Sequence, residues 1–563
     1  MKTKKSIISL FILGVSLLTA CEGVLEKYPL NLPSTETFLE NEDQIKMAIV
    51  GMHSPLYLMY DWIPFMIYFD NASDIAAERD VKPEQLYHNP SAWQLKDLWT
   101  YMYNGISRCN FILDNINRSE GKVSEEKMNQ YKAEVKTMRA YYYHVLVSMF
   151  GDVPLIEHVQ SMDEAYVTRD AKEKVVDFIL SECEASTPFL SRKNEPNTMA
   201  ITQGFAWAIV ARTALYNNRW EVAVNACKNI MELEGTEYIL DESYENLTKI
   251  AGKTSKEIIW AVQFNQDDKT QLMPKRYLSR LGGGYSNKMP IQALVDSYEC
   301  TDGYSIDKSS LYDPQHPWEN RDPRLGYTVA LPGTVFLGYQ FETNKDSVKC
   351  WNYNVTPATR IDNLDATHTY ASFSGYCWRK YVDAAEYRTD GASSINAIVF
   401  RYAEILLTYA EAKVELNQLD DSVYESINKI RARVGMPPVS NGKSQQELRA
   451  AIRKERKYEL AGEGLRLFDI RRWEMAEKVM NGMCYGRVPT GYPSVAPSID
   501  EYGNPDYSTY PEKDKLGTKL GVRFFDPAKH YLSPIPFDEI HYQNFFIIPF
   551  LYLILLKINR LIS

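Results

Sequence analysis

Two short alanine-rich helical segments, joined by three residues, constrain this chain most. Phe205 to Tyr216 carries Ala206, Ala208, Ala211 and Ala214. Asn217-Asn218-Arg219 breaks it, and Trp220 to Met231 resumes with Ala223 and Ala226. Small residues on both segments let two helix backbones approach closely, and the short turn makes them neighbours. A longer segment, Tyr131 to Phe150, places Val135, Met138, Tyr142, Val145 and Met149 at 3,4,3,4 spacing, which is one apolar helical stripe. Gly151 stops it and Pro154 forbids simple continuation.

This helix-turn-helix logic is that of a tetratricopeptide-like repeat. A second pair reads as Ile398 to Asn417, a turn near Asp420, then Val423 to Val434. Ile398, Tyr402, Ile405, Tyr409 and Leu416 keep its stripe. No strict period survives, so the expected fold class is mostly α, built from degenerate tetratricopeptide-like helical pairs. Between about 265 and 395 the texture changes. Gly282-Gly283-Gly284, several prolines and many Asp, Asn and Tyr interrupt every helix-length pattern. This is a large loop-rich insertion, and loops on a rigid scaffold are where binding usually resides. A second loop-rich stretch runs from Gly482 to Asp526.

The first twenty residues read as a targeting device. Met1-Lys-Thr-Lys-Lys5 is a basic start, Ser6 to Ala20 is apolar, and Leu18-Thr19-Ala20-Cys21 closes it. The apolar part falls short of the roughly 20 residues a membrane span needs. Small residues before a single Cys look like a bacterial lipoprotein signal, with Cys21 lipidated; several acyl chains on one residue hold firmly to a bilayer. Residues 21–37, with Pro29 and Pro33, read as an extended tether, and 38–544 as a single helical domain carrying the insertion.

Net charge argues against a general nucleic-acid binder: 63 Lys and Arg stand against 73 Asp and Glu, a balance of −10. The seven cysteines after Cys21 form no CxxC pair, and no two of the eight His sit at i,i+4, so no metal site is expected. The thiols read as scattered and buried, with a Cys350–Cys377 bridge left open. No GxSxG, HExxH, P-loop or GxGxxG motif appears. The triple glycine has no following Lys-Ser/Thr and reads as a flexible loop. Glu455 and Glu459 lie at i,i+4 on one helical face, where like charges repel. Arg456, Arg466, Arg471 and Arg472 are the available counter-charges, so this segment reads as a structural salt-bridge network.

Several segments then recur in a familiar order. Cys21-Glu-Gly-Val-Leu25-Glu-Lys-Tyr-Pro29 is followed by Glu134-Val-Lys-Thr-Met-Arg139, Phe150-Gly-Asp-Val-Pro154 and Asn320-Arg-Asp-Pro-Arg324-Leu. Gly375-Tyr-Cys-Trp-Arg-Lys380, Arg401-Tyr-Ala-Glu-Ile-Leu-Leu-Thr-Tyr-Ala-Glu411 and Ile452-Arg-Lys-Glu-Arg456-Lys-Tyr-Glu459 come next, with Arg466-Leu-Phe-Asp469 and Pro534-Ile-Pro536 after them. The ordered set resembles the SusD/RagB family of Bacteroidota outer-membrane lipoproteins. The resemblance implies a protein on the outer cell surface, lipid-anchored through Cys21. It would capture oligosaccharides and deliver them to a SusC-like TonB-dependent transporter, as a binding protein with no enzymatic activity and no cofactor. A peptide-binding member of the same family and a structural outer-membrane lipoprotein are the alternatives. The chain departs from the family at its end. Phe545 to Leu556 is an apolar run broken by Pro549 where a polar ending is expected. The tail 545–563 reads as a frameshifted end or, in the second reading, as a strand or helix that docks.

Aromatic residues in loops carry the binding argument. A sugar ring has an apolar C–H face on which Trp or Tyr stacks, and a hydroxyl rim for polar side chains. Trp207, Trp220, Trp260, Trp473 and Trp99 sit in helical or strand-like apolar surroundings and read as core, and Trp378 reads as structural. The family resemblance draws ligand contacts from the early loop and from the insertion. The candidate ligand-binding residues are Trp62, Trp93, Tyr285, Trp318 and Trp351.

Overall fold

The computed structural model describes residues 38–542 apart from 165. The leader 1–20, the tether 21–37 with its Cys21, and the apolar tail 545–563 lie outside the described residues.

The long helices stack one upon the next. They are α1 (Glu42–Met52), α2 (Trp93–Asn115), α3 (Glu125–Phe150), α4 (Lys172–Ser186), α5 (Gln203–Tyr216) and α6 (Trp220–Met231). After the insertion, α7 (Tyr402–Glu415) packs on α6, and α8 (Asp421–Arg433) and α9 (Gln445–Leu460) pack on α7. The chain is thus mostly α-helical. Local chemistry sets the helix starts. The Ser124 hydroxyl accepts from the N–H of Lys127, and Glu125 and Glu126 favour the positive end of α3, so this helix begins before the apolar stripe does. Ser444 and Glu447 form a reciprocal capping box at α9.

The predicted stripe of α3 is buried throughout, and Gly151, at φ 74°, ends the helix. The alanines of α5 and α6 are buried where the two helices meet. Close approach also needs Gly105 in α2, where a Cβ atom would lie 2.4 Å from the Tyr142 ring of α3. All seven cysteines among the described residues are buried and unpaired, so Cys350 and Cys377 form no bridge.

The helix expected from Ile398 begins only at Tyr402. Ala397–Arg401 is a β-strand, antiparallel to Ile258–Val262, with Ile398 opposite Ala261. Ile398, Val399 and Phe400 are buried on both faces, which suits β-branched and aromatic residues in a strand. A short apolar run does not by periodicity distinguish the two structures. This strand pair brackets the irregular region. The α6–α7 contact then continues the helical stack although the whole insertion separates the two helices in sequence.

A buried ionic network ties the insertion to the stack. Arg401 reaches Glu463, Glu257 and Glu459 at 2.6–2.7 Å. Arg324, from the insertion, reaches Asp322, Glu455 and Glu459, and Arg431 and Arg433 of α8 reach Glu455 and Glu459. The counter-charges of Glu455 and Glu459 therefore come from other segments than expected. Arg456 and Arg472 hold Asp469, Arg466 holds Asp74, and Arg471 has no carboxylate partner among the described residues. The like pair on α9 is tolerated because Arg324 Nη1 bridges both carboxylates.

Candidate functional site

Met59–Tyr60 and Ile63–Pro64 form a two-residue hairpin whose tip is Asp61-Trp62. Both tip residues have positive φ, 49° and 70°, as a type I′ turn demands. A bulky residue there is an outlier, and such strain gathers at functional positions. The indole of Trp62 is left 42% exposed. The N–H of Leu272 donates to the Trp62 carbonyl at 3.3 Å and fixes the hairpin against the insertion.

Arg276 lies behind the indole. Its guanidinium carbon is 4.2 Å from the Trp62 ring centroid and 5.1 Å from that of Tyr285, so the order is Tyr285, Arg276, Trp62. Asp61 orients the stack: its carboxylate pairs with Arg276 and accepts from Lys288 Nζ at 2.6 Å. Lys288 is buried and also pairs with Glu78. Two acids, Asp61 and Glu78, thus stand against two bases, Arg276 and Lys288, beneath the hairpin tip.

Tyr285 is half-buried and seated by the triple glycine. Gly284 N–H donates to Ser279 O at 2.9 Å, and a Cβ at Gly284 would lie 2.3 Å from Leu278 Cβ. Of the three glycines Gly284 is thus close-packed, whereas Gly283, at φ 82°, stands in open space. Trp93 opens α2, 52% exposed, with its ring edge-on to Tyr60 at 5.6 Å. Tyr60 belongs to the same hairpin, and its hydroxyl donates to Gln94 O at 2.6 Å. Trp62, Trp93 and Tyr285 are thus gathered around one hairpin.

Trp351 and Trp318 stand elsewhere. Trp351 lies in a four-stranded antiparallel sheet made of Val335–Phe336, Tyr339–Gln340, Lys349–Asn352 and Thr359–Asp362. It is 39% exposed, 6.5 Å from Tyr353 and 5.3 Å from the guanidinium of Arg360. Trp318 is half-buried, donates Nε1–H to Pro332 O at 3.0 Å and meets Tyr376 edge-on at 6.0 Å. It lines a small recess, partly open to solvent, with Tyr312, Tyr376, Tyr492 and Tyr510. Among the residues read as core, Trp99, Trp260, Trp378 and Trp473 are buried, whereas Trp207 and Trp220 are half-buried against the core. Arg276 was not singled out from the sequence; in Met273-Pro-Lys-Arg-Tyr277 nothing local marks it.

Exposed aromatic rings on a helical-repeat scaffold make up a candidate ligand-binding surface. The comparisons with known proteins give the family. The SusD family model matches residues 256–544, and a model described as "Starch-binding associating with outer membrane" matches 25–215. The chain belongs to the SusD family. It is 25% identical over 506 residues to SusD-like protein P25 of Formosa agariphila, covering 83% of this chain and 89% of that one. Its fold is similar to a SusD-like carbohydrate binding protein from Bacteroides fragilis, with 27% identity, a TM-score of 0.76, and coverage of 90% of this chain and 99% of that chain. A second SusD-like protein from the same species has 25% identity and a TM-score of 0.72, covering 92% and 98%.

Proposed function

We propose that this protein captures an oligosaccharide at the cell surface and hands it, chemically unchanged, to a SusC-like TonB-dependent transporter. The observation that carries the reading is Trp62, held open at a strained hairpin tip with Arg276 and Tyr285 stacked behind it. One indole face is taken by the guanidinium, which leaves the other for a sugar C–H face. Trp93 extends the platform, and Trp351 and Trp318 serve separate stretches of a longer chain. Family membership and the carbohydrate-binding relative from Bacteroides fragilis support the ligand class. The outer-membrane description of the model over 25–215 supports the location, with Cys21 as the anchor.

The test is calorimetric titration with an oligosaccharide panel and a peptide panel. Binding of a glycan, lost in Trp62→Ala, supports the reading; binding of peptides alone, or release of cleaved sugar, overturns it. Co-purification of a large barrel protein from outer membranes tests the handover.

A further inference from the structure

Near Tyr285 lies a group of cations with few acids beside it. Arg79 follows the strand Ala76–Glu78, and its N–H donates to Asn287 O at 2.8 Å, two residues past Tyr285. Its guanidinium lies 5.1 Å from the exposed Tyr370 ring and 5.6 Å from Phe373. Lys519 Nζ lies 5.1 Å from that same Phe373 ring, so the two cations share it. Arg280 donates Nη1–H to Gly284 O at 2.8 Å, next to Tyr285. His368 neighbours the Tyr370 ring at 6.0 Å, and burial, then Arg280 and Arg79, hold its imidazole below the ordinary value. Lys345 is held low by burial and by Lys519.

Counter-charge is scarce. Among the described residues Arg280, Lys345 and Lys519 form no ion pair, whereas Arg324, Arg401 and Arg466 inside the protein all carry carboxylates. Arg79 pairs through Nε with a single acid, the exposed Asp80, at 3.5 Å. Asp365 accepts from the backbone N–H of Arg280 and Leu281 and is the one buried carboxylate beside Arg280 among the described residues. In a chain of net charge −10, this concentration of cations stands out. Like charges held together with fewer acids than bases repel one another and favour an external anion.

We propose that Arg79, Arg280 and Lys519, with Tyr370 as a stacking ring, bind the anionic substituent of a saccharide: a sulfate ester or a uronate carboxylate. The inference rests on the reading that Trp62 stacks a neighbouring sugar of the same chain. Arg79 supplies a planar guanidinium, oriented by the bond its Nη1–H donates to Tyr370 O at 2.8 Å, and Lys519 supplies a point charge.

The experiment screens the full chain on an array of sulfated, uronate-bearing and neutral oligosaccharides. Calorimetry then compares the strongest binder with its desulfated or carboxyl-reduced counterpart. The charged member is expected to bind at least tenfold tighter, with an advantage that shrinks as NaCl is raised. Arg79→Gln combined with Lys519→Gln erases that advantage; should the pair fail to fold, the exposed Lys519→Glu alone reverses it. Whether desulfation or carboxyl reduction removes the advantage identifies the anion. Equal affinity for charged and neutral members, unmoved by these variants but lost in Trp62→Ala, overturns the anionic site and leaves the platform standing. Binding that survives Trp62→Ala, or no binding on the array, overturns the platform reading and this inference with it.

Discussion

The guanidinium of Arg276 sits 4.2 Å from the centre of the Trp62 indole, a contact between an early hairpin and the insertion. It joins two segments remote in sequence into one platform and turns a loop aromatic into a supported ring. The remaining indole face is the surface on which the functional reading depends.

Trp62→Gly separates binding from stability. Glycine adopts φ 70° freely, which relieves about 1–2 kcal/mol of left-handed strain. The lost cation–π contact at an exposed site is worth roughly 0.5–1 kcal/mol. The melting temperature should hold or rise while glycan affinity falls at least ~10-fold, or about 1.4 kcal/mol. Thermal melts and titration of the same preparation check both; undiminished affinity refutes the role of the indole.

Gly284→Ala tests the turn that seats Tyr285. The added methyl meets Leu278 at 2.3 Å and displaces the turn, at about 1–3 kcal/mol. Affinity should fall further than in Tyr285→Phe, which keeps the ring. Titration of both variants checks this, and the reverse order contradicts it.

Trp62 and Trp351 share no contact among the described residues. The losses of Trp62→Ala and Trp351→Ala should therefore add to within ~0.5 kcal/mol in the double variant, for a ligand long enough to reach both. A strongly non-additive cycle would place them in one subsite.

Glu455→Ala removes a buried carboxylate shared by Arg324 and Arg431. Stranding charge in this way costs about 3–5 kcal/mol. Denaturant unfolding should show that loss while the folded variant binds glycan as before. A loss of affinity at unchanged stability would instead make this network part of the site.

Acid should unfold the protein through the same network. Burial alone would raise Glu459, but Arg433, Arg401 and Arg324 outweigh it and hold the carboxyl well below its ordinary 4.5. Glu463 is likewise lowered, by Arg401 and Lys380 against burial. A depressed carboxyl stabilises the fold fully above its unfolded value, so stability should be lost as pH falls below about 4.5. Asp70 and Asp365, which burial pushes up to about 7 and about 6, act in the opposite sense between pH ~4 and those values. Unfolding free energies across pH 3–7 should therefore pass through a maximum, and Glu459→Gln should flatten its acid side.

The helical pairs, the Gly151 stop, the buried stripe of α3 and the change of texture after residue 265 were legible in the sequence, because a helix records its own burial in spacing three and four residues apart. Tertiary structure alone decided that Ile398 lies in a strand, that Arg324 and Arg401 answer Glu455 and Glu459, and that Arg276 backs Trp62. Each of these joins segments that no local period connects; the pairing exists only once the stack has folded and brought α6 and α7 together across the insertion.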